Sequence, residues 1–358
     1  MSPMFVPGPV DVAPEVLAAQ AKPMMPHRST EFEDIFRRTG EKLQKLFFTK
    51  YRVFQGTHSG SGMQEAGIRN FVQESVLCCV NGAFAQRWDD VAIANGKKAD
   101  KIEVDWGQVI TPDMLRDALK KKHYEAVTIV HNETSTGAEN PVKELCEVVR
   151  EVSPDTLILV DAVSSLGGVK IDMDGLGIDF LLTSSQKCLA LPPGMSFAGV
   201  SDRAMKKAES VENRGWYFDL VLMEKHRTKD STPMTPVMPL IFALDVQLDR
   251  IFEEGLETRF ARHAEMAKRT QEWAIKHGME PLAPEPYRSK TVSTIQNSKN
   301  MDMKSLNKFL LQHGMRIANG YGKMKDVTYR IAHMGEIQTS DVDKLLGLMD
   351  EFLAQMPK

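Results

Sequence analysis

The run Thr156-Leu-Ile-Leu-Val-Asp161 places four consecutive apolar residues before a closing acid. A short apolar run with no polar alternation describes a strand buried on both faces, and such strands belong to parallel sheets covered by helices. That makes the chain an α/β protein. It also puts Asp161 at the carboxyl edge of the sheet, where open α/β sheets bind ligands. A second apolar run, Asp179-Phe-Leu-Leu, passes through Thr183-Ser-Ser-Gln186 to Lys187 and then into Cys188-Leu-Ala-Leu-Pro-Pro-Gly194. It reads as a neighbouring strand entering a polar bend that carries a single lysine. Between the two runs, Gly167-Gly168 and Asp172-Met-Asp-Gly175 leave room for one crossover.

A lysine held there is costly unless it is used. Partial burial disfavours the ammonium form and makes the amine nucleophilic enough to form a Schiff base with a carbonyl. A carboxylate and an amine on two strand ends are the pair that pyridoxal phosphate requires. The acid keeps the ring nitrogen protonated and the lysine holds the aldehyde. The bland alternatives are a surface-loop lysine and an acid that only caps a turn.

The segments VDAVSSLGG and SSQKCLALPPG together resemble the class V, fold type I aminotransferases, and within them the alanine/serine–glyoxylate (serine–pyruvate) family. The resemblance runs from Pro7-Gly-Pro9 to Arg330-Ile331. It implies a large domain over residues 21–245 with a mostly parallel seven-stranded sheet. A smaller α/β domain over 246–358 and an N-terminal arm over 1–20, lying across the active site, complete the expected organisation. It also implies a homodimer with shared sites. The reaction implied is ping-pong transamination from alanine or serine to a 2-oxo acid such as glyoxylate or pyruvate. Other donors on the same scaffold are aspartate, ureidoglycine or an aminophosphonate, and other chemistries are a lyase or a desulfurase.

Carried onto this chain, the family pattern makes Lys187 and Asp161 catalytic. Gly56-Thr-His-Ser-Gly-Ser-Gly-Met63 is a glycine-rich turn entering a helix. Converging backbone N–H groups and the helix dipole suit a phosphate there, and the family assigns this role to Ser61, Gly62 and Met63. The turn is neither GxGxxG nor a P-loop, since Glu65 stands at the third glycine position. Phe84 is the expected ring-stacking aromatic, Thr134 the partner of the phenolic oxygen, and Gln186 a phosphate contact. Thr232 and Thr235 are expected to reach a neighbouring subunit's phosphate. Gly8 belongs to the arm over the substrate. Arg330 lies in Val327-Thr-Tyr-Arg-Ile-Ala332, where an arginine among apolar residues needs an anion. The family uses it for the substrate α-carboxylate, and the alternative is an internal acid.

Composition removes other classes. A net charge of −3, with 26% charged residues, leaves no global basic surface for nucleic acid. No apolar run is long enough to span a bilayer, and the N-terminus does not read as a secretion signal, so a cytoplasmic protein is expected. The four cysteines have no zinc spacing, and no HExxH occurs, so no metal is expected. Cys188 reads as a small packing residue rather than a redox nucleophile.

Helical periodicity predicts a helix to Leu46 capped by Ser29 or Thr30, and one after Thr111 with Pro112 at its first position. It also predicts one long helix over residues 245–277 and a final helix over 341–356 capped by Ser340. The aromatic segment Asn213-Arg-Gly-Trp-Tyr-Phe218 is expected to pack near the cleft.

Overall fold

The computed structural model describes residues 3–356. The N-terminal segment contributes β1 (Met4–Phe5). The larger sheet follows from β2 (Arg52–Gly56), β3 (Ser75–Val80), β4 (Lys98–Glu103) and β5 (Ala126–Val130). After a short hairpin of β6 (Asn132–Glu133) and β7 (Ala138–Glu139), it is completed by β8 (Leu157–Asp161), β9 (Phe180–Ser184) and β10 (Ser196–Val200). Its order is β2-β10-β9-β8-β5-β3-β4. The neighbours from β9 through β4 pair parallel, and β10 alone runs antiparallel to both of its neighbours.

The continuous apolar runs are explained by two cores, one on each face of this sheet. In β8, Ile158 and Val160 join one core, while Leu157 and Leu159 join the other. In β5, Val127 and Ile129 face the first, and Ala126 and Val130 the second. Because successive side chains alternate faces, a strand covered on both sides is apolar at nearly every position, with an occasional buried hydroxyl such as Thr128 in β5. The edge strand β4, Lys-Ala-Asp-Lys-Ile-Glu, is the opposite case. Its exposed charges at Lys98, Asp100, Lys101 and Glu103 blunt the sheet edge and hide the strand from a search for apolar runs.

The smaller sheet has the order β1-β12-β13-β11, with β11 (Val292–Gln296), β12 (Arg316–Asn319) and β13 (Thr328–Ala332). Its core joins Ile317, Tyr329 and Ile331 to Trp273, Leu306 and Leu345 from the surrounding helices. The N-terminal chain is therefore tied to this sheet by β1 before it crosses to the larger one.

Local signals hold at several helix ends. Ser29 Oγ accepts from Phe32 N, and Thr111 Oγ1 accepts from Met114 N. Two expectations fail. The single helix expected over 245–277 is two, Met238–Glu254 and Leu256–Lys276, divided at Gly255 with φ +82°. The apolar stripe continues across the break, so periodicity does not reveal it. The last helix, Thr339–Gln355, is capped by Gln338 in a reciprocal box with Asp341, not by Ser340. Trp216 and Tyr217 are exposed, at 65% and 44%, but their segment does lie against the glycine turn beside the cleft: Tyr217 Oη donates to Thr57 O at 3.0 Å, and the Phe218 ring is 5.1 Å from that of His58. Among the described residues, no helix is long and apolar enough to cross a membrane, and no metal-binding cluster occurs.

Candidate active site

The carboxyl ends of β5, β8 and β9 open into a cavity of about 210 Å³, lined by Ser61, Gln64, Phe84, Arg87, Asn132, Thr134, Asp161, Ser184, Gln186 and Lys187 among others. Asp161 is the last residue of β8. Its Oδ1 accepts from Val163 N at 2.9 Å and its Oδ2 from Gln64 Nε2 at 2.8 Å. Burial raises its pKa to about 6 despite these bonds. Lys187 lies three residues beyond β9, and burial, aided by the positive charge of Arg330, lowers its pKa to about 8. Its Nζ donates to Pro7 O, and Val10 N donates to Gln186 O, so the N-terminal chain lies directly on the lysine. Gly8, at φ +87°, makes the approach possible: a Cβ there would stand 2.7 Å from Lys187 Cδ.

The helix Gly60–Phe71 begins at this cavity. Its first helical bond runs from Met63 N to Ser59 O at 3.2 Å, leaving the N–H groups of Gly60, Ser61 and Gly62 ahead of it. Met63 therefore spends its N–H inside the helix, and its side chain is buried in the core. It is not among the residues lining the cavity. Gly62 lacks a Cβ for a visible reason, since one would lie 2.8 Å from His58 Nδ1.

A second helix, Ala83–Ala94, is fixed at its start by a buried acid. Glu133 Oε2 accepts from Phe84 N at 3.1 Å and Ala85 N at 2.8 Å, while Ser135 Oγ accepts from Ala83 N at 3.1 Å. Burial raises the pKa of Glu133 while these donors oppose the rise. This places the Phe84 ring on the cavity, 5.3 Å from the Tyr321 ring. Thr134 Oγ1 shares a 2.6 Å hydrogen bond with Ser164 Oγ.

Arg330 lies in β13 with no acid partner among the described residues. Its Nε donates to Asn319 O at 3.1 Å and its Nη1 to Thr134 O at 3.2 Å, and its guanidinium sits 5.5 Å from the Tyr321 ring centre. Burial lowers its pKa to about 10. Thr232 and Thr235 do not line the Lys187 cavity. Thr232 Oγ1 donates to Met234 O within its own loop, and Thr235 is exposed. Cys188 is buried and its thiol is pushed up to about 12 by burial, which leaves it unreactive.

Sequence reasoning missed Gln64, Arg87, Asn132, Glu133 and Ser184. Arg87 had a signal: three positions after Phe84 on a helix, it must share that residue's face. Four cavity residues carry a buried polar atom without a hydrogen-bond partner: Gln64 Oε1, Asn132 Oδ1, Ser184 Oγ and Gln186 Oε1. Each such atom costs about 1–3 kcal/mol if left unmet, so the cavity is built around a polar ligand.

This fold and site define a fold type I pyridoxal-phosphate transferase, and comparison with known proteins agrees. The family described as aminotransferase class V matches residues 15–333, and the chain belongs to that family. An uncharacterized aminotransferase of Methanocaldococcus jannaschii is 36% identical, with 99% of this chain and 93% of that protein covered. The L-aspartate–glyoxylate aminotransferase of Paracoccus denitrificans is 31% identical over 97% of this chain and 89% of its own length. Among solved structures, an alanine–glyoxylate aminotransferase from Nostoc sp. superposes with a TM-score of 0.92 at 30% identity, covering 99% of this chain and 96% of that one.

Proposed function

We propose that the chain is a transaminase that binds pyridoxal 5'-phosphate at the Lys187 cavity and moves an amino group from a small amino acid, alanine or serine, to glyoxylate or pyruvate. The observation that carries this is the convergence of Lys187 and Asp161 in one buried cavity with unmet polar atoms. The residues fit the group. The free N–H groups at the start of the Gly60–Phe71 helix, with Ser61, suit its phosphate. Phe84 offers a ring face, Thr134 a hydroxyl for the phenolic oxygen, and Gln186 an amide for the phosphate. The bound cofactor supplies an electron sink for the substrate's α-carbon.

Asp161 holds the proton on the ring nitrogen, and a cationic partner there returns its carboxyl to the ionised form. Lys187 Nζ would hold the group's aldehyde carbon and, when free of it, would take and return the α-proton, a task suited to an amine with a pKa near 8. Arg330, a buried cation without an acid partner, binds the α-carboxylate. Gly8 and the chain around it close the cavity and exclude water. Glyoxylate stands in the names of both the Paracoccus enzyme and the Nostoc structure, which supports it as the acceptor here.

The smaller domain of residues 246–358 and the arm of residues 1–20 complete this site in the proposal, around the larger domain of residues 21–245. A homodimer with shared sites accounts for Thr232 and Thr235 lying away from the chain's own cavity, and sedimentation showing an active monomer would refute it. The function is tested by borohydride reduction of the cofactor-loaded protein followed by peptide mapping. Label should appear on Lys187, and Lys187→Ala should bind reversibly but lose about 10²–10⁴ in turnover. A panel of donors against glyoxylate, pyruvate and 2-oxoglutarate assigns the pair. A protein that takes up no cofactor and transaminates nothing would defeat the proposal.

A further inference from the structure

The cavity holds a guanidinium that the proposed reaction does not use. Arg87 follows Phe84 by one helical turn, and its guanidinium carbon lies 4.9 Å from the centre of that ring. Its Nη1 donates to Ser61 Oγ at 2.9 Å, and no carboxylate pairs with it among the described residues. Asp161 is the one carboxylate among the residues that line the cavity, and its oxygens already accept from Val163 N and Gln64 Nε2, which leaves Arg87 able to pair with an anion that a ligand brings.

The surroundings of Arg87 say what kind of anion fits. Ser61 lies in the opening turn of the Gly60–Phe71 helix, among the N–H groups that precede its first helical bond. By accepting from Arg87 on a lone pair, the Ser61 hydroxyl keeps its own proton free to donate onward. Across from it, Ser184 Oγ is fully buried and has no partner, 3.6 Å from where a Cβ on Gly60 would stand. Two hydroxyls, several backbone N–H groups and one guanidinium thus meet at one end of the cavity, a donor set for a tetrahedral dianion. The helix end offers only about half a positive charge. His58, behind the turn, has its pKa lowered by burial and is neutral near pH 7. Arg330 is anchored by Thr134 O and Asn319 O and is assigned to the substrate α-carboxylate. Arg87 is left as the full positive charge for that end.

We propose that Arg87 is the cationic member of the phosphate clamp: it pairs with a phosphate oxygen of the cofactor and turns the Ser61 hydroxyl proton toward that group, with Ser184 Oγ as a further donor. This rests on the pyridoxal-phosphate reading of the site. It predicts a residue that discriminates the phosphate from the rest of the cofactor.

The test compares binding of pyridoxal phosphate and of pyridoxal, which lacks the phosphate, to cofactor-free protein by absorbance titration. For Arg87→Met, Kd for pyridoxal phosphate should rise at least about tenfold, the loss of one charge-assisted contact, while Kd for pyridoxal changes less than about twofold. Arg87→Lys should recover part of the loss. Ser184→Ala removes only a hydroxyl and should show the same phosphate-selective weakening, which keeps the proposal testable if Arg87→Met does not fold. Equal losses for both ligands would mean that Arg87 merely supports Phe84, and would overturn the clamp. Unchanged cofactor affinity with a kcat/KM loss confined to aspartate and glutamate would instead make Arg87 a reader of donor side chains. Wild-type protein that takes up neither ligand would overturn the cofactor reading itself, a result distinct from each of these.

Discussion

Replacing Arg330 by lysine keeps the charge and removes the fork, and the structure lets the loss be counted. A guanidinium has five N–H groups. Asn319 O takes the one on Nε, and Thr134 O takes one on Nη1. Those left, one on Nη1 and both on Nη2, can grip a carboxylate through two parallel bonds. An ammonium has three donors, and the same two carbonyls would claim all but one. The substitution therefore deletes one charge-assisted hydrogen bond, about 1.5–3 kcal/mol, or roughly 10- to 150-fold in kcat/KM. The assay is kcat/KM for alanine, serine, aspartate and glutamate against glyoxylate near pH 7. All four donors should lose the same factor, because the α-carboxylate is what they share. A loss confined to aspartate and glutamate would show that Arg330 reads the side chain, and a change below about threefold for every donor would show that it binds no carboxylate.

Three further outcomes follow from the same geometry. Asp161→Asn can keep the contacts to Val163 N and Gln64 but cannot hold the ring nitrogen protonated. Turnover should fall by at least about 100-fold with an unchanged circular dichroism spectrum, and near-normal turnover would reduce Asp161 to a turn cap. Gly8→Ala should cost about 1–2 kcal/mol in backbone strain at φ +87° and push its new methyl into Lys187 Cδ at 2.7 Å. Displacing the amine should lower kcat about 10- to 100-fold, and an unaltered kcat would refute that contact. The nucleophile is the neutral amine, so the rate at which Lys187 captures cofactor should rise with pH and reach half its maximum near 8. Stopped-flow absorbance measures it, and a midpoint near an ordinary lysine, about 10.4, would mean that the amine is solvated.

The amino-acid sequence determines the large sheet because a strand covered on both faces is apolar along most of its length. Leu157–Asp161 and Phe180–Ser184 carry that pattern openly, and the same reasoning puts Asp161 and Lys187 at one sheet edge. Caps such as Ser29 and Thr111 are equally legible, since each bonds a neighbour three residues on. Local pattern fails where the deciding contact is not local. The charged strand Lys98–Glu103 is a strand because Ser75–Val80 pairs with it, not because of its own residues. The break at Gly255 leaves the apolar stripe intact and shows only in the backbone angle. The site itself was legible as two residues and a glycine turn. What surrounds them depends on pairings far apart in the chain: Pro7 O on Lys187, Gln64 on Asp161, Thr134 O on Arg330 and Ser61 on Arg87. Periodicity reports which face a side chain occupies. Which distant side chain meets it there is set by how the two sheets and the N-terminal chain pack, and only the tertiary structure decides that.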